Sequence, residues 1–534
     1  MKAIEKYKTW LNGNFLNKND KEILENMTDE EINENFSSDL EFGTAGIRGI
    51  MDLGTNKINI YNIKRVTQGL SNYLIKHYNN PSVVIGYDTR NNSYEYAITT
   101  ALVLNNNKIK TYLFKDISST PLVSYAVKYL KCSSGIVITS SHNASVYNGY
   151  KVYNDKGCQI LEKEANLIID EINNTNYNIK EENINNEYFN YVNESINESF
   201  IEENEKVIIN KSIIDNYASK LKITYTSLHG TGIKVIPFIF EKYKIRYNLV
   251  NEQCKIDKDF TYAPEPNPEY LYNYDLAFKY AEDLNSDVII ATDPDADRIG
   301  VLYKKDDNYE MIDGNMLGNI FLYYILNNKK ILKNNYCVRS IVSSNMFDKI
   351  ADLYNAKVVE VLTGCKNIVQ VKNNDKDNYI FGFEESLGYV FNIDINDKNS
   401  ISSTIFLIEI LSYLKSIDSS LDQYIEEIYN KFGYYKTKTI SLTLNQNKIE
   451  SLMNKLRKEN LFNEKEKIDY LKEENDLKTN ALKFIINNNE YFMIRPSGTE
   501  PKIKIYMIVN DTNMNKCNLR INNLETKIKE IIKE

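Results

Sequence analysis

Histidine is nearly absent from this chain: three occur in 534 residues, at His77, His142 and His229. An imidazole in a chemically suggestive setting therefore stands out. Cysteine is sparse and scattered, at Cys132, Cys158, Cys254, Cys337, Cys365 and Cys517, with no CxxC pair. That spacing argues against a disulfide framework and against a zinc site, and it fits a reduced compartment. No block of Lys and Arg accumulates, so nucleic acid is not an expected partner. No run approaches the roughly 18 apolar residues that span a bilayer, so no membrane association is expected. The opening MKAIEKYKTWLNGNF lacks the apolar core of a signal peptide, and the expected location is cytoplasmic. Short internal repeats are missing too. Asn- and Lys-rich runs such as NNKKILKNN read as solvated filler.

A hydrophobic share of 42% and a charged share of 26% suit a globular protein. The length exceeds the roughly 250–300 residues at which single cores stop growing, so several domains are expected. Apolar β-rich runs alternate with helical spacing. SVVIGYD (82–88), KTYLF (110–114) and GIVITS (135–140) read as strands. SYEYAITTALVLNNN (93–107) and PLVSYAVKYL (121–130) read as helices between them. Such alternation implies mainly parallel sheets with helices on their faces. Residues 173–206 are polar without clear breakers; helix is expected there, and the stretch reads as a boundary region. Further strands are expected from Leu221, over 287–292, 378–383 and 491–496, with a helix over 402–415. The last hundred residues, from KTKTISLTL, read as a smaller α+β unit.

Three of the apolar strands end in dense polar loops, within GIVITSSHN, DVIIATDPDAD and NYIFGFEES. Ligands of open α/β sheets bind beyond the carboxyl ends of strands, so these loops are expected to wall one cleft. In DPDADR, Asp293, Asp295 and Asp297 sit at i, i+2 and i+4. Crowding three carboxylates after a buried strand is costly without a cation, and all-oxygen ligation favours a hard ion such as Mg²⁺ or Ca²⁺. Twelve-residue EF-hand spacing is absent, so Mg²⁺ with a phosphate oxygen is the natural reading, and a solvated acidic turn the bland one. Arg298 adds a fixed cation beside it.

In ITSSHNAS, His142 follows three hydroxyls, Thr139, Ser140 and Ser141. A hydroxyl nucleophile needs a base or a metal, and direct chain neighbours rarely oppose each other as a triad requires. His142 is therefore read as an orienting donor, with one serine holding a phosphoryl group near the metal. The alternative is a helix-capping turn. Lys151, in YNGYK, could carry a proton nearby. GFEES can bind sugar hydroxyls, though charged turns are common. In RPSGTEPK, Arg495 and Lys502 supply charge and Ser497 and Thr499 hydroxyls, while Gly498 lets backbone N–H groups turn toward an anion. That reads as a phosphate clamp. FGTAGIRG brings Arg48 on a glycine-rich backbone without Walker spacing, and TGCK places Lys366 after an apolar run.

Taken in order, FGTAGIRG, TSSHNA, DPDADR, TGCK, GFEES and RPSGTEPK resemble the α-D-phosphohexomutase superfamily over nearly the whole chain. GFEESLGY, YNGYKVY and TSLHGTG are most similar to its phosphoglucomutase branch, which also holds phosphopentomutases. The resemblance implies an α/β fold of four domains: three similar α/β units with mixed sheets and a C-terminal α+β domain around one central cleft. The expected boundaries are 1–206 with the phosphoserine loop, 207–308 with the metal loop, 309–432 with the sugar-recognition loop and 433–534 with the phosphate loop. It implies that Ser141 carries a phosphoryl group and that Asp293, Asp295 and Asp297 bind Mg²⁺ with a phosphoserine oxygen. Lys151 matches a general acid/base, and Arg48 and Arg298 cations at the transferring group. Lys366, Glu384 and Ser386 match sugar-recognition positions, and Arg495, Ser497, Gly498 and Thr499 the clamp, with Lys502 beside them.

The implied reaction interconverts glucose 1-phosphate and glucose 6-phosphate through a sugar bisphosphate, with mannose phosphates as side substrates. Phosphopentomutase is the alternative, and a Mg²⁺-dependent sugar phosphatase the reading from another enzyme class. A sugar-phosphate-binding protein without activity is disfavoured because the serine and the aspartates are all present. The expected partners are small sugar phosphates only, with the chain a monomer or homodimer. The sequence departs from the family pattern in places: Ser140 and Ala144 replace a small residue and a proline around the serine, Pro294 replaces a common glycine, and the acidic pair of GFEES is not followed by the histidine that some members carry, with Tyr389 nearby instead.

Overall fold

The structure, a computed structural model, describes residues 2–44, 46–179, 184–185, 187–488, 490–497 and 502–533. Two compact units emerge, Met1–Met311 with Ile393–Ser412, and Ile312–Asn392 with Tyr413–Glu534.

The first unit holds two mixed sheets. One contains β1 (Ile47–Ile50), β2 (Ser82–Tyr87), β3 (Lys110–Leu113), β4 (Ser134–Ile138), β5 (Tyr147–Tyr153) and β6 (Phe189–Tyr191), in the order β1-β5-β4-β2-β3-β6. The other contains β7 (Lys222–Thr226), β8 (Arg246–Leu249), β9 (Val288–Thr292), β10 (Ile299–Lys305) and β11 (Asn308–Ile312), in the order β11-β10-β9-β7-β8. In the second unit, β12 (Tyr336–Ser340), β13 (Lys357–Val361), β14 (Tyr379–Glu384) and β15 (Gly388–Phe391) run in the order β13-β12-β14-β15. A last sheet of β16 (Tyr434–Thr443), β17 (Glu466–Asp469), β18 (Leu482–Asn487), β19 (Glu490–Pro496) and β20 (Lys502–Asp511) is antiparallel throughout.

One topology recurs in the first three sheets: β5-β4-β2-β3, β10-β9-β7-β8 and β15-β14-β12-β13. Each has three parallel strands and one antiparallel return strand beside the last of them. The return loop is in each case one of the three polar loops singled out from the sequence. The central strands explain their own composition. β4 and β9 are buried at every position, because helices cover both faces of a largely parallel sheet. Such strands read as unbroken Val/Ile runs. By contrast β16 alternates toward an open face. The core of the last sheet stacks Phe484 on Phe492, with Phe462 edge-on to both, under the helices Gln446–Lys458 and Met514–Lys533.

The expected elements appear within a residue or two of their predicted ends, including the helix Ser400–Ser416. In the polar 173–206 stretch Ser195–Glu205 is helical, as expected, and a strand that was not expected, β6, extends the first sheet beside β3. Before the first sheet stand three short helices, Ala3–Leu11, Lys18–Glu25 and Asp29–Phe36; Trp10 of the first packs edge to face on Phe36 of the third and on Phe15 of the connection between the first two. Among the described residues no single helix is long and apolar enough to cross a membrane.

Candidate active site

The loop after β4 delivers Ser141, which is 3% exposed and adopts φ 54°, the left-handed region that costs a non-glycine residue about 1 kcal/mol or more. The strain is held by specific bonds. Ser141 N donates to Thr139 Oγ1 at 2.8 Å, and Thr139 Oγ1 donates to Asp88 Oδ2 at 2.6 Å. Arg90 donates to the carbonyl of Ser141, and also to those of Asn143 (2.7 Å), Ala144 (2.8 Å) and Tyr147 (3.1 Å). Its Nε pairs with Asp88 Oδ2 at 2.9 Å. The missing proline at Ala144 is thus offset by a guanidinium that grips the loop from beneath.

Of the three hydroxyls, Ser141 points at the acidic loop, its Oγ 3.0 Å from Asp293 Oδ2. Thr139 is spent on the loop, and Ser140 Oγ is buried without a hydrogen-bond partner among the described residues. His142 Nδ1 lies 3.4 Å from Ser141 Oγ, a long contact suited to orienting. Burial, then Arg298 and Arg48, hold this imidazole well below its usual pKa, so it is neutral at physiological pH.

The acidic loop between β9 and β10 buries all three aspartates. One carboxylate oxygen from each lies within 4.8 Å of the others. Asp293 Oδ1 accepts the backbone N–H groups of Asp297 (3.1 Å) and Arg298 (3.0 Å). Asp295 Oδ2 accepts Thr120 Oγ1 (2.7 Å) and Lys151 Nζ (2.6 Å). Asp297 Oδ2 lies 3.4 Å from Lys151 Nζ and 3.1 Å from Lys398 Nζ. Two oxygens remain, Asp295 Oδ1 and Asp297 Oδ1, buried and without a hydrogen-bond partner among the described residues. Burial, then Asp297 and Asp295, push the Asp293 carboxyl well above the usual range. Burial also opposes the charge on Asp297, but Lys398, Lys151 and Arg298 outweigh it and keep that carboxylate ionised. Three converging carboxylates, two of which carry an oxygen without a hydrogen-bond partner among the described residues and one of which resists ionisation, fit a hard divalent cation.

Pro294 supports this loop. Its carbonyl accepts Thr231 N at 2.8 Å, and a methyl group at Gly230 would come within 2.4 Å of its Cα. TSLHGTG is therefore a brace for the acidic loop. Ser400 Oγ donates to Ala296 O at 2.6 Å from the other side.

Lys151, on β5, remains protonated: burial works against its charge, but Asp295 and Asp297 outweigh burial. Arg48, on β1, donates to Asn143 Oδ1 at 3.0 Å. Arg298 Nε lies 3.9 Å from Asp297 Oδ1. All these groups belong to one unit.

In the second unit Glu384 ends β14 and its Oε1 accepts Gly364 N at 2.8 Å, which ties GFEES to TGCK and to Lys366 at the start of the helix Cys365–Asn374. Glu385 turns inward, accepting Ser340 Oγ at 2.9 Å and Ser343 Oγ at 3.3 Å. Ser386 lies at the turn between β14 and β15. Tyr389 is buried, its hydroxyl donating to Gly314 O at 3.0 Å, so it supports the third sheet's core. Arg495 ends β19. Ser497 N donates to Lys502 O at 2.8 Å, which closes the expected phosphate loop. Gly498 and Thr499 lie outside the described residues.

Sequence reasoning missed Asp88, Arg90, Thr120 and Lys398. The first two follow strand β2 as YDTR, a strand-end charged loop like the others, and that signal was available. Lys398 had none: it lies about a hundred residues from the acidic loop. It is held by Asp397, whose Oδ2 accepts Tyr153 Oη at 2.6 Å and whose Oδ1 lies 3.4 Å from Lys398 Nζ.

Comparison with known proteins agrees with this geometry. The chain matches phosphoglucomutase/phosphomannomutase alpha/beta/alpha domain I over residues 39–179, domain II over 198–306 and domain III over 313–432. It is 34% identical to phosphoglucomutase of Staphylococcus haemolyticus over 519 residues, 91% of this chain and 93% of that protein. Phosphoglucomutase of Staphylococcus aureus is also 34% identical, over 524 residues, 91% and 92% of the two chains. Among solved structures, the phosphoglucomutase parafusin of Paramecium shares the fold at TM-score 0.74 and 17% identity, covering 93% of this chain and 96% of that one. A phosphoglucomutase/phosphomannomutase family protein of Burkholderia thailandensis does so at TM-score 0.70 and 16% identity, covering 92% and 97%.

Proposed function

Because the chain belongs to the α-D-phosphohexomutase superfamily and is a phosphosugar mutase, we propose that it interconverts glucose 1-phosphate and glucose 6-phosphate through a phosphoserine at Ser141. The observation that carries this reading is Ser141 Oγ, held 3.0 Å from Asp293 in the loop whose three aspartate carboxylates converge within 4.8 Å. The relatives' shared name supports glucose as the sugar.

Asp293, Asp295 and Asp297 would hold Mg²⁺, with an oxygen of the Ser141 phosphoryl completing the set. When bound, the ion neutralises charge on the phosphoryl group in transfer. The chain's own residues do the rest. Phosphoryl transfer needs positioning and charge neutralisation more than covalent work. Arg90 fixes the backbone that carries Ser141. Arg298 and Arg48 supply positive charge around it, and Lys398 and Lys151 balance the acidic loop. The P–O bond to Ser141 Oγ breaks as one forms to the free hydroxyl of the sugar phosphate. Lys151, held protonated, gives its proton to the departing Ser141 Oγ and, left neutral, takes up the proton that the attacking sugar hydroxyl loses, while neutral His142 orients the serine oxygen. The resulting bisphosphate returns its other phosphoryl group to Ser141. Glu384, Ser386 and Lys366 are suited to sugar hydroxyls. Arg495, Ser497 and Lys502, with Gly498 and Thr499, are suited to the phosphate not in transfer, an interaction that serves both orientations of the bisphosphate.

The test is kcat/KM for glucose 1-phosphate, mannose 1-phosphate and ribose 1-phosphate, each with Mg²⁺ and trace sugar bisphosphate. Glucose 1-phosphate is expected to lead. A lead by ribose 1-phosphate would overturn the hexose assignment and leave the phosphoserine intact.

A further inference from the structure

Arg90 grips the serine loop with its edge; its face is covered by a ring from the next sheet's domain. Asp88 and four carbonyls engage the in-plane donors of the guanidinium. Phe260 lies over its face, with Cζ 4.9 Å from the ring centroid. Phe260 is fully buried and adopts φ 53°, a conformation unfavourable for an aromatic residue. Such strain persists only where the surroundings impose it. Behind the ring stands His229, stacked on it at 6.1 Å and 10°. That imidazole is fastened at both nitrogens: Nδ1 donates to Lys255 O at 2.9 Å, and Nε2 accepts Tyr262 N at 3.2 Å. His229 directly precedes Gly230 and Thr231, which brace Pro294 in the acidic loop. A second tie joins the same segments, Asn91 Nδ2 to Asp259 Oδ1 at 3.0 Å.

We propose that Phe260 is a positioning residue for phosphoryl transfer: with His229 it keeps the Arg90-held serine loop in register with the aspartate loop. The proposal rests on Ser141 as the phosphoryl carrier. A continuous path of packed and hydrogen-bonded groups then runs from Pro294 through Gly230, His229, Phe260 and Arg90 to the carbonyl of Ser141. The nucleophile and the acidic loop belong to different sheets, and small misplacement of reacting groups is expensive in rate. A cation over a desolvated aromatic face is attracted more strongly than one over an aliphatic side chain. Leucine at 260 keeps an apolar filler but removes that attraction and the stacking surface for His229.

The test compares Phe260→Leu with Phe240→Leu. Phe240 is an equally buried aromatic of the same domain that packs on Tyr225 and Tyr247 instead. Both variants should lose similar thermal stability. Phe260→Leu should lower kcat roughly tenfold with KM within about twofold, and slow labelling of Ser141 by sugar bisphosphate in proportion. Phe240→Leu should leave both rates unchanged. Phe260→Met, a flexible filler, serves should the leucine variant fail to fold, with the same expected split. Equal kcat for the two sites, or a Phe260 effect confined to KM, would overturn the proposal. Absence of labelling in the unmodified protein would instead overturn the phosphoserine reading itself.

Discussion

Replacing Asp293 with asparagine should stabilise the protein in chelator and remove its stabilisation by Mg²⁺. Without a cation, Asp293 faces two buried carboxylates with oxygens within 4.8 Å. At an effective dielectric of about 20, each unit-charge pair at that distance costs about 3.5 kcal/mol. Asp295 and Asp297 each have an ammonium partner, whereas Asp293 is met by backbone N–H groups and Ser141. The charge on Asp293 is therefore the one whose removal relieves most repulsion. Asparagine keeps an oxygen for the two backbone donors and loses the acceptor for Ser141, so the net gain should be about 2–4 kcal/mol. The pH dependence has a definite sign. A carboxyl raised above its unfolded value favours folding while protonated, so the stability of the metal-free protein should fall as pH rises from about 4 through the raised value. The variant should lose that slope. The assay is thermal unfolding of both proteins in chelator and in Mg²⁺, at two pH values. The unmodified protein should melt lower than the variant in chelator and gain with Mg²⁺, whereas the variant should gain little. A variant that melts lower in chelator, or that still gains from Mg²⁺, would refute the reasoning.

Lys398→Met should reduce kcat by about 10²-fold, the scale for removing one fixed charge from a preorganised site, with protein folding verified by circular dichroism. Since His142 is held neutral by burial and by Arg298 and Arg48, its ring resonances in an NMR titration should stay fixed between pH 8 and pH 6. The sign for stability is the reverse of a salt-bridged histidine. The unfolded chain takes a proton below about 6.5 while the folded one does not, so this group should lower stability by at most about 1.4 kcal/mol per pH unit as the pH falls. Glu385→Gln should disturb the Ser340 and Ser343 contacts and raise KM more than it lowers kcat, measured with glucose 1-phosphate at saturating Mg²⁺.

Much of this was legible because chemistry and topology coincide. Strands β4, β9 and β14 announce themselves as buried Val/Ile/Phe runs, and each ends where its polar loop begins. Their return strands were harder to see. The threefold recurrence of order is a property of hydrogen-bonded partners and leaves no short repeat in the sequence. The aspartate loop was readable from three acids after an apolar strand. The choice among Thr139, Ser140 and Ser141 was not readable from spacing, because backbone geometry decides it: the left-handed φ of Ser141 turns its Oγ toward Asp293 while Thr139 is consumed by Asp88. Lys398 escaped for a different reason. It enters the site on a segment remote in sequence, and its place there shows only in the fold, where Asp397, fixed by Tyr153, holds it against Asp297. Phe260 looks in sequence like any buried aromatic until its ring is seen over Arg90.

The central claim is that Ser141 carries the phosphoryl group. The most direct measurement incubates the protein with Mg²⁺ and labelled glucose 1,6-bisphosphate, maps the label by peptide mass spectrometry, and chases it with unlabelled glucose 1-phosphate. The account predicts label on Ser141 that transfers to sugar at the rate of turnover and none in Ser141→Ala. Label elsewhere, or label on Ser141 that the chase does not remove, would contradict it.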